Sequence, residues 1–471
     1  MDVPDFRTVT VEALAAMVRN RTLTAAAVTE HALERIEALN PTLNAFVAVD
    51  ADGARAQADQ IDERLDAGDE VGALAGVPIG VKDLVNAIGF HTSRGAMYTR
   101  HDPPAESDCT EVARMRAAGC VIVGKTNTPE HGCMGDTYNP RFGPTLNPWN
   151  PERSPGGSSG GTGSAIASGM VPVGTGSDGG GSIRIPSAIC GLSGIKTSHG
   201  RVPSGPPPSG LIDLSCVGPM ARLIRDVALC LDNMVGPHPA DLRSLPKPDV
   251  SWRAALDRPR MPARVLWAPS IDGGPVDSEI AAACAAAVDR LATEGVEVVE
   301  ARTEISVVPG AFLQLFFGGL IGPALRPLYG TDEWNNVTDV LAALLEDVYE
   351  RATPESLYGA RRQAGVLSMA LTEMMDGYDV LLMPTLAGQA PAPGGHGTID
   401  GAETPNWFRF TPLANLARRP AGTVCCGFSR DGVPIGLQVV GHQLDDLAVL
   451  ETLAVLEDLL ALDPIAPALM P

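Results

Sequence analysis

The stretch of residues 154–196, SPGGSSGGTGSAIASGMVPVGTGSDGGGSIRIPSAICGLSGIK, carries the densest pattern in the chain. It contains two runs rich in glycine and serine, residues 154–164 and 174–186. The segment AIASGMVPV between them predicts a short helix followed by a strand. Clustered glycines occur where the backbone must come close to a ligand or to another backbone segment. We therefore expect the two runs to be places of such close approach.

On either side of this stretch, short apolar segments alternate with helical ones. GVPIGVKD (residues 76–83) and CVIVGKTN (120–127) predict strands, and TEVARMRAAG (110–119) predicts a helix between them. TPEHG (128–132) predicts the start of a further helix, with Thr128 as N-cap and Pro129 in the first turn. Alternation of this kind indicates βαβ units around a largely buried mixed sheet.

The rest of the chain continues the α/β pattern. Apolar spacing predicts a helical hairpin over residues 11–39, a βαβ unit over 264–300, helices over 303–375 and a buried strand over 378–385. GTVCCGF (422–428) and PIGLQVVG (434–441) predict a β-hairpin, followed by a final helix over 447–460. Neither an internal repeat nor a long disordered linker is expected.

Composition excludes several classes of protein. The 471 residues are 45% hydrophobic and 19% charged, which is typical of a soluble globular protein. A formal net charge of −21 disfavours binding to nucleic acid or to an anionic membrane. The nine cysteines lack C-x-x-C spacing and the eight histidines lack metal-ligand spacing, so we expect reduced thiols and no metal site.

The chain is expected to be cytoplasmic. Its start, MDVPDFRTVT, is acidic and lacks the apolar core of a signal peptide. The most apolar stretch, AFLQLFFGGLIGPAL (311–325), is too short and too interrupted by glycine and proline to span a bilayer. It is interpreted as a core segment or a pocket wall.

Two short motifs match templates that their surroundings do not support. GTGSDG (174–179) fits the dinucleotide pattern G-x-G-x-x-G, but Pro186 interrupts the helix that should follow and no acidic residue lies about 20 positions on. Ser193 and Lys196 fit the S-x-x-K of β-lactamase-like enzymes, but no S-D-N or K-T-G partner exists. Both matches are interpreted as coincidence.

A third motif leaves an alternative open. GGSSG (156–160) fits G-x-S-x-G, the nucleophile elbow of α/β-hydrolases, with Ser158 as the nucleophile. That fold requires an acid and then a histidine downstream, for which His238, His396 and His442 are available. An α/β-hydrolase esterase is therefore one hypothesis.

Three features together are more specific than any of these motifs. They are GVPIGVKDL with Lys82 inside an apolar strand, the serine-rich loop with Ser158, and GSDGGGSIRIPSAICG with Ser182. In these segments, and in VIVGKTNTPEHG, the chain resembles the amidase signature family. The 24-residue interval between Ser158 and Ser182 is also similar to the spacing in that family.

The resemblance implies one large α/β domain over residues 1–471, with a mixed twisted sheet surrounded by helices. The signature core would cover about residues 74–220 and a helical substrate-pocket region about 303–375. The activity implied is amidohydrolysis of a carboxamide, aryl amide, carbamate or related ester, without cofactor or metal. The partner would be a small-molecule substrate and the protein a monomer or homodimer.

The resemblance also assigns roles to the three central residues. Ser182 would be the nucleophile, Ser158 the bridging serine and Lys82 the final base, with a cis peptide at Gly157-Ser158. A lysine with its usual pKa of about 10.4 is a cation and accepts no proton at neutral pH. Burial lowers that pKa, and the apolar residues around Lys82 favour burial. Asp83 is expected to face the opposite side of the strand.

The glycine run resembles the oxyanion hole of the family, with backbone N–H groups of Gly179, Gly180, Gly181 and Ser182 as donors. Asp178 and Arg184 are expected to pin this loop by hydrogen bonds, and Ser159 to support it. The glycine at position 179 departs from the commoner family pattern, where a larger residue stands. A third glycine predicts a more flexible loop or a roomier pocket.

Substrate-pocket residues follow from family resemblance and apolarity. The candidate segments are residues 134–138, 211–213, 312–320 and 407–410. The individual candidates are Met134, Gly135, Tyr138, Ile185, Phe316 and Phe317. Phenylalanines at 312, 316 and 317 favour an apolar or aryl group in the substrate.

Two further hypotheses remain. One is the glutamine-hydrolysing subunit of a tRNA amidotransferase, also in this family, which would bind partner subunits. Ile185 disfavours it, because a polar residue is expected there in that subfamily. The other is a binding or scaffold protein that keeps the fold without activity, which intact Lys82, Ser158 and Ser182 disfavour.

Overall fold

The computed structural model describes residues 2–206, 214–239, 241–301 and 309–467. The pocket segment 211–213 that the sequence suggests lies outside the described residues. So does the start of the helical region, residues 303–308.

The strands are short, and those in the middle of the chain are almost entirely buried. They are β1 (Phe46–Val49), β2 (Pro78–Lys82), β3 (Val121–Thr126), β4 (Val173–Asp178), β5 (Ser193–Lys196), β6 (Cys216–Ala221), β7 (Arg264–Trp267), β8 (Glu297–Glu300), β9 (Val380–Pro384), β10 (Gly397–Ile399), β11 (Ala402–Thr404), β12 (Ala421–Phe428) and β13 (Pro434–Val440).

Within the described residues, eleven strands form one mixed sheet in the order β1-β3-β2-β4-β6-β5-β12-β13-β9-β7-β8. The pairs β2/β3, β2/β4, β7/β8 and β7/β9 are parallel, and the other neighbours are antiparallel. β10 and β11 form a separate hairpin. Every residue of β2, β3, β5, β6, β9 and β13 is buried, as expected for strands covered on both faces.

Helices cover the sheet. They are α1 (Val11–Arg19), α2 (Ala25–Leu43), α3 (Ala51–Ala67), α4 (Thr110–Ala117), α5 (Gly160–Ala167), α6 (Arg184–Cys190), α7 (Ile224–Met234), α8 (Trp252–Ala255), α9 (Ser278–Thr293), α10 (Pro309–Leu313), α11 (Gly322–Leu325), α12 (Asp339–Arg351), α13 (Pro354–Met374), α14 (Pro412–Leu416) and α15 (Asp446–Leu460). A π-helix, Gln314–Ile321, joins α10 to α11.

The predicted α/β fold class is confirmed. The helical hairpin is α1 and α2, the βαβ unit is β7-α9-β8, and the C-terminal hairpin is β12 and β13. The helix predicted to begin at Thr128 is wrong, because the chain makes only a 3₁₀ turn, Glu130–Gly132. His131 (φ 52°) and Gly132 (φ 67°) have left-handed backbone conformations, which an α-helix cannot continue.

Two parallel strands place the glycine-rich segment at one edge of the sheet. Ile79 and Gly80 of β2 lie beside Val173 and Gly174 of β4. Because parallel strands end at the same edge, the C-terminal ends of β2 and β4 lie close together. The loop before α5 and the loop between β4 and α6 meet there.

One helical run of the described chain, Pro309–Leu328, is long and apolar enough to cross a membrane by length and composition. It is longer and more continuous than its glycines and proline predict. Core helices meet the same criteria. Leu315, Phe316 and Ile321 are buried and belong to a core cluster with side chains of α12 and α13.

Candidate active site

Lys82 ends β2 as a buried amine among hydroxyl groups. Its side chain is only 1% exposed. Its Nζ lies 2.8 Å from Ser158 Oγ, 2.8 Å from Ser159 Oγ and 2.9 Å from Ser177 Oγ. Asp83 faces away from this cluster and pairs with Lys125 Nζ at 2.9 Å. Lys82 therefore has three hydroxyl neighbours and no carboxylate within ion-pair distance among the described residues.

Burial sets the protonation of this amine. Removal from water lowers the pKa of Lys82 well below its usual 10.5, and the negative charge of Asp178 offsets only part of that effect. A neutral amine has two N–H donors and one lone pair. The three surrounding hydroxyls match that set, since a hydroxyl either accepts or donates a hydrogen bond.

Ser158 lies just before α5, after a cis peptide bond between Gly157 and Ser158. The surrounding loop is held by Thr137, whose Oγ1 donates to the Gly156 carbonyl at 2.7 Å and accepts from the Gly160 N–H at 3.2 Å. Ser158 is 1% exposed. These bonds fix the backbone that presents its hydroxyl to Lys82.

Ser182 lies in the loop between β4 and α6, beside the Ser158 loop. Its carbonyl accepts from the Ser159 N–H at 3.2 Å, which joins the two loops. Ser182 is 9% exposed, against 1% for both Lys82 and Ser158. Its hydroxyl makes no hydrogen bond to a described residue. Ser182 is thus the most accessible of the three predicted catalytic residues.

The glycine run is fixed by Asp178. The Gly181 N–H donates to Asp178 Oδ1 at 2.7 Å, so this predicted oxyanion donor is already engaged. Gly181 has a φ of 128°, a conformation that favours glycine. The N–H groups of Gly179, Gly180 and Ser182 have no acceptor among the described residues.

A buried ion pair anchors Asp178 in turn. Arg184 Nε and Nη2 donate to the two carboxylate oxygens of Asp178, each at 2.9 Å, and both side chains are fully buried. Burial alone would raise the pKa of Asp178, but Arg184 and Asn415 hold it at about 2. Arg184 also donates to Asn415 Oδ1 at 2.7 Å and to Gln438 Oε1 at 2.6 Å.

Aromatic side chains enclose the glycine loop. A Cβ added at Gly179 would lie 2.7 Å from Phe316 Cε2, and one added at Gly180 would lie 2.5 Å from Phe312 Cζ. The rings of Phe312 and Phe316 are stacked, with centroids 5.3 Å apart and an interplanar angle of 18°. The roomier pocket expected from the third glycine is therefore absent at this point, because Phe316 fills the space.

The other pocket candidates differ in their surroundings. The Met134 carbonyl lies against Gly157, Gly135 packs beside Trp407 and Phe408, and Ile185 is buried beside Gly181. Phe317 is 4% exposed and packs edge-on against Phe316. Tyr138 is 47% exposed, unlike the rest of this group.

Several residues of the site were not predicted as part of it from sequence. Ser177 contacts Lys82, and Thr411 donates to the Gly180 carbonyl at 2.6 Å. Asn415 and Gln438 complete the surroundings of Arg184. Ser177 lies beside Asp178 in the glycine-rich run, which is a signal that could have identified it. The other three lie more than 220 positions away and carry no local motif.

Among the described residues, no group of three or more His, Cys, Asp or Glu side chains is arranged to hold a metal ion. His442, a candidate for the esterase hypothesis, has its Nε2 2.8 Å from the backbone carbonyl of Tyr378.

The S-x-x-K pair, Ser193 and Lys196, lies along β5. Ser193 Oγ contacts Glu457 and makes no hydrogen bond to Lys196 Nζ among the described residues.

Comparison with known proteins gives the class of this chain. The sequence model of the Amidase family matches residues 27–317 and 320–450. An acylamidase of Rhodococcus erythropolis is 35% identical over 456 residues, covering 94% of this chain and 93% of that protein. A glutamyl-tRNA(Gln) amidotransferase subunit of Synechococcus sp. (strain WH7803) is 33% identical, covering 92% and 93%.

Solved structures agree with the sequence comparison. A bacterial aryl acylamidase of the amidase signature family superimposes with a TM-score of 0.88 at 27% identity, covering 96% of each chain. The chain therefore belongs to the amidase signature family. It is an amidohydrolase acting on C–N bonds of linear amides, and the α/β-hydrolase hypothesis is wrong.

Proposed function

We propose that this amidohydrolase forms an acyl-enzyme on Ser182, with Ser158 and Lys82 as a proton relay. The observation that carries the proposal is the buried Lys82 Nζ, 2.8 Å from Ser158 Oγ, with its pKa lowered by desolvation. A neutral amine in that position can accept a proton. Ser182 lies on the adjoining loop, next to the backbone donors of the glycine run.

The relay moves one proton in two transfers. Ser158 Oγ gives its proton to the Lys82 lone pair and takes the proton of Ser182 Oγ. Ser182 Oγ then attacks the carbonyl carbon of the substrate, and the negative charge moves to the carbonyl oxygen. The N–H groups of Gly179, Gly180 and Ser182 bind this oxyanion.

The second half of the reaction returns the proton. Lys82 passes it back through Ser158 to the leaving nitrogen, and the C–N bond breaks to release an amine or ammonia. Water then attacks the acyl-enzyme with the same relay as base, which yields the carboxylic acid and free Ser182. Ser159 and Ser177 accept the two N–H bonds of neutral Lys82, so that its lone pair faces Ser158.

The substrate we propose carries an apolar or aryl group on the amide. The support is the aromatic lining, Phe312, Phe316, Trp407 and Phe408, around the glycine loop and Gly135. The similarity to an acylamidase and to an aryl acylamidase points to the same class. Aryl carbamates and esters present a similar carbonyl and belong to the same proposal.

A turnover screen tests the reaction and its nucleophile together. Anilides, primary amides, aryl carbamates and p-nitrophenyl esters are offered to the wild-type enzyme and to Ser182→Ala. Ser187→Ala is the matched control, since Ser187 is a buried serine of α6 that is not part of the relay. We expect anilide turnover by wild type and by Ser187→Ala, with none above background for Ser182→Ala. Equal turnover by Ser182→Ala would contradict the proposal.

A second candidate function is glutamine hydrolysis for a tRNA amidotransferase, because one relative at 33% identity belongs to such an enzyme. Ile185, 2% exposed beside Gly181, favours an apolar substrate over glutamine. We propose that the chain acts alone in the cytoplasm, as a monomer or homodimer. Ammonia release from glutamine, with partner subunits on purification, would instead support the second candidate.

A further inference from the structure

The residue that departs from the family pattern, Gly179, has a structural partner. An ideal Cβ at this position would lie 2.7 Å from Phe316 Cε2, closer than real Cβ contacts come. At Gly180 the corresponding atom is Phe312 Cζ, at 2.5 Å. In both cases a ring edge rests on the backbone of a glycine. The third glycine and the two phenylalanines are thus one packing unit.

The two rings come from one continuous helical run. Phe312 lies in α10 and Phe316 in the π-helix that follows it, and their rings stack nearly parallel at 5.3 Å. Phe316 is 8% exposed and makes an edge contact with Phe317 on its other side. Phe312 is only half-buried, so part of its surface remains accessible, and its ring packs on the backbone of Gly180.

We propose that the Phe312–Phe316 stack, seated on Gly179 and Gly180, is the specificity-determining wall of the substrate site. It selects an aryl ring attached directly to the scissile carboxamide. The substrate ring extends the stack on Phe312, while Phe316 and Gly179 position Phe312. This inference rests on the proposed function, because it places the scissile carbonyl at the Gly179, Gly180 and Ser182 donors.

Ring stacking distinguishes this wall from a merely apolar one. A pair of aromatic rings is more stable by about 0.5–1.5 kcal/mol than the burial of its apolar area alone would make it. Because about 1.4 kcal/mol corresponds to a factor of ten, this gain corresponds to a factor of about 2 to 12 in kcat/KM. A cyclohexyl group has nearly the size and apolarity of phenyl but no π face. The intrinsic reactivities of phenyl and cyclohexyl amides also differ, but that difference is the same for every variant of the enzyme. The change in the phenyl-to-cyclohexyl ratio of kcat/KM from wild type to a wall variant therefore measures the wall itself.

The experiment uses two substrate pairs on the full-length enzyme. One pair varies the amine, N-phenyl against N-cyclohexyl, and the other varies the acyl group, benzoyl against cyclohexanecarbonyl. Phe312→Leu and Phe316→Leu test the aromatic wall. Gly179→Ala, Phe316→Ala and the double variant Gly179→Ala/Phe316→Ala test the contact between the glycine and the ring. Phe6→Leu is the control, since Phe6 is a buried ring in a separate core cluster.

In one of the two pairs, we expect the phenyl-to-cyclohexyl ratio of wild type and Phe6→Leu to exceed that of Phe312→Leu and Phe316→Leu by about 2- to 12-fold. The pair in which the ratio falls shows whether the ring belongs to the amine or the acyl side. Gly179→Ala should lower kcat/KM in wild type. In the Phe316→Ala background, Gly179→Ala should lower kcat/KM by a smaller factor, because the ring that clashes with the added methyl group is absent.

Two results would overturn the inference. One is a phenyl-to-cyclohexyl ratio that Phe312→Leu and Phe316→Leu leave unchanged in both pairs. The other is strict additivity of Gly179→Ala and Phe316→Ala, with both variants shown to be folded by thermal unfolding. Failure of the proposed function has a different signature, namely amide turnover that survives in Ser182→Ala.

Discussion

The proposed reactivity of Ser182 depends on the protonation state of one amine, that of Lys82. Lys82 is buried among the hydroxyls of Ser158, Ser159 and Ser177. The carboxylates near it form ion pairs with other cations. Asp83 pairs with Lys125 and Asp178 with Arg184. The site therefore keeps negative charge away from Nζ by giving each nearby carboxylate its own partner, which preserves the effect of burial.

The pH dependence follows from the direction of this shift. Burial lowers the pKa of Lys82 well below 10.5, and only the neutral amine accepts a proton. We expect kcat/KM for an anilide to rise with pH and to reach its plateau well below pH 10.5. A rise centred near pH 10.5 would mean that the base is an ordinary solvated lysine. The profile should be recorded with chemistry rate-limiting, using several anilides of different leaving group.

At the scale of the element, the loop between β4 and α6 is held from inside by one carboxylate. Asp178 accepts hydrogen bonds from the N–H groups of Gly181, Ile183 and Arg184, and from the Arg184 guanidinium. These hydrogen bonds restrict the backbone conformations that this glycine-rich segment can adopt. The predicted flexibility of the third glycine is countered in this way and by the packing of Phe316.

Asp178→Asn should destabilise the protein, because it leaves a fully buried guanidinium without its counter-charge. The expected loss is about 3–5 kcal/mol in the free energy of unfolding, measured by urea titration at pH 7. Glu297→Gln is the control, since Glu297 pairs with Arg264 at the surface and its loss should change little. An Asp178→Asn variant as stable as this control would show that the ion pair does not anchor the loop.

The same pair predicts how the difference between wild type and Asp178→Asn varies with pH. The carboxyl pKa is about 2 in the folded protein and 3.8 when unperturbed, so the contribution of the charge is complete above pH 3.8. It is lost as the pH falls from 3.8 through 2. Urea titrations of both proteins at pH 7, 4 and 3 should give a stability difference that is constant at first and then shrinks.

At the scale of the whole molecule, the C-terminal part of the chain completes a site that begins near the N-terminus. β12 pairs with β5, and β13 joins β12 to β9, so residues after 411 enter the middle of the sheet. Thr411, Asn415 and Gln438 then reach the Gly180 carbonyl and the Arg184 side chain. The signature segments alone do not contain these supports.

The sequence predicts some levels of this structure better than others. Segments with clear periodicity, such as α1, α2, β7-α9-β8 and the β12-β13 hairpin, have the predicted type. Strands β1, β5 and β6 were not predicted. β1 and β5 are only four residues long, and β6 contains Gly218 and Pro219, which are uncommon inside strands. The failed helix at Thr128 shows the limit of capping signals, since His131 and Gly132 turn the backbone just where the helix should extend.

The site shows the same division. Lys82, Ser158 and Ser182 belong to local motifs that the sequence makes visible. Thr411, Asn415 and Gln438 act through contacts between distant parts of the chain, which no local pattern reveals. The role of Gly179 was open for the same reason, because its partner Phe316 lies 137 positions later. What the sequence could not predict is which distant side chain fills each space.

A truncated chain tests whether the distant supports are required. A fragment of residues 1–262 lacks β7–β9, β12 and β13, and with them Asn415 and Gln438, while the Arg184 partner Asp178 remains. We expect no cooperative unfolding transition and no reaction of Ser182 with a fluorophosphonate, in contrast to the full chain. Labelling of the fragment at the rate of the full chain would show that the signature core is sufficient.

The most direct test of the central claim is the rate of fluorophosphonate labelling of Ser182 in wild type and in Lys82→Met, followed by mass spectrometry. A relay from Ser182 through Ser158 to Lys82 predicts that the label is on Ser182 and that the labelling rate increases as Lys82 loses its proton. It also predicts that Lys82→Met, which removes the base but keeps the length of the side chain, labels about 10²- to 10⁴-fold more slowly. A label on another residue, or equal rates for wild type and Lys82→Met, would contradict it.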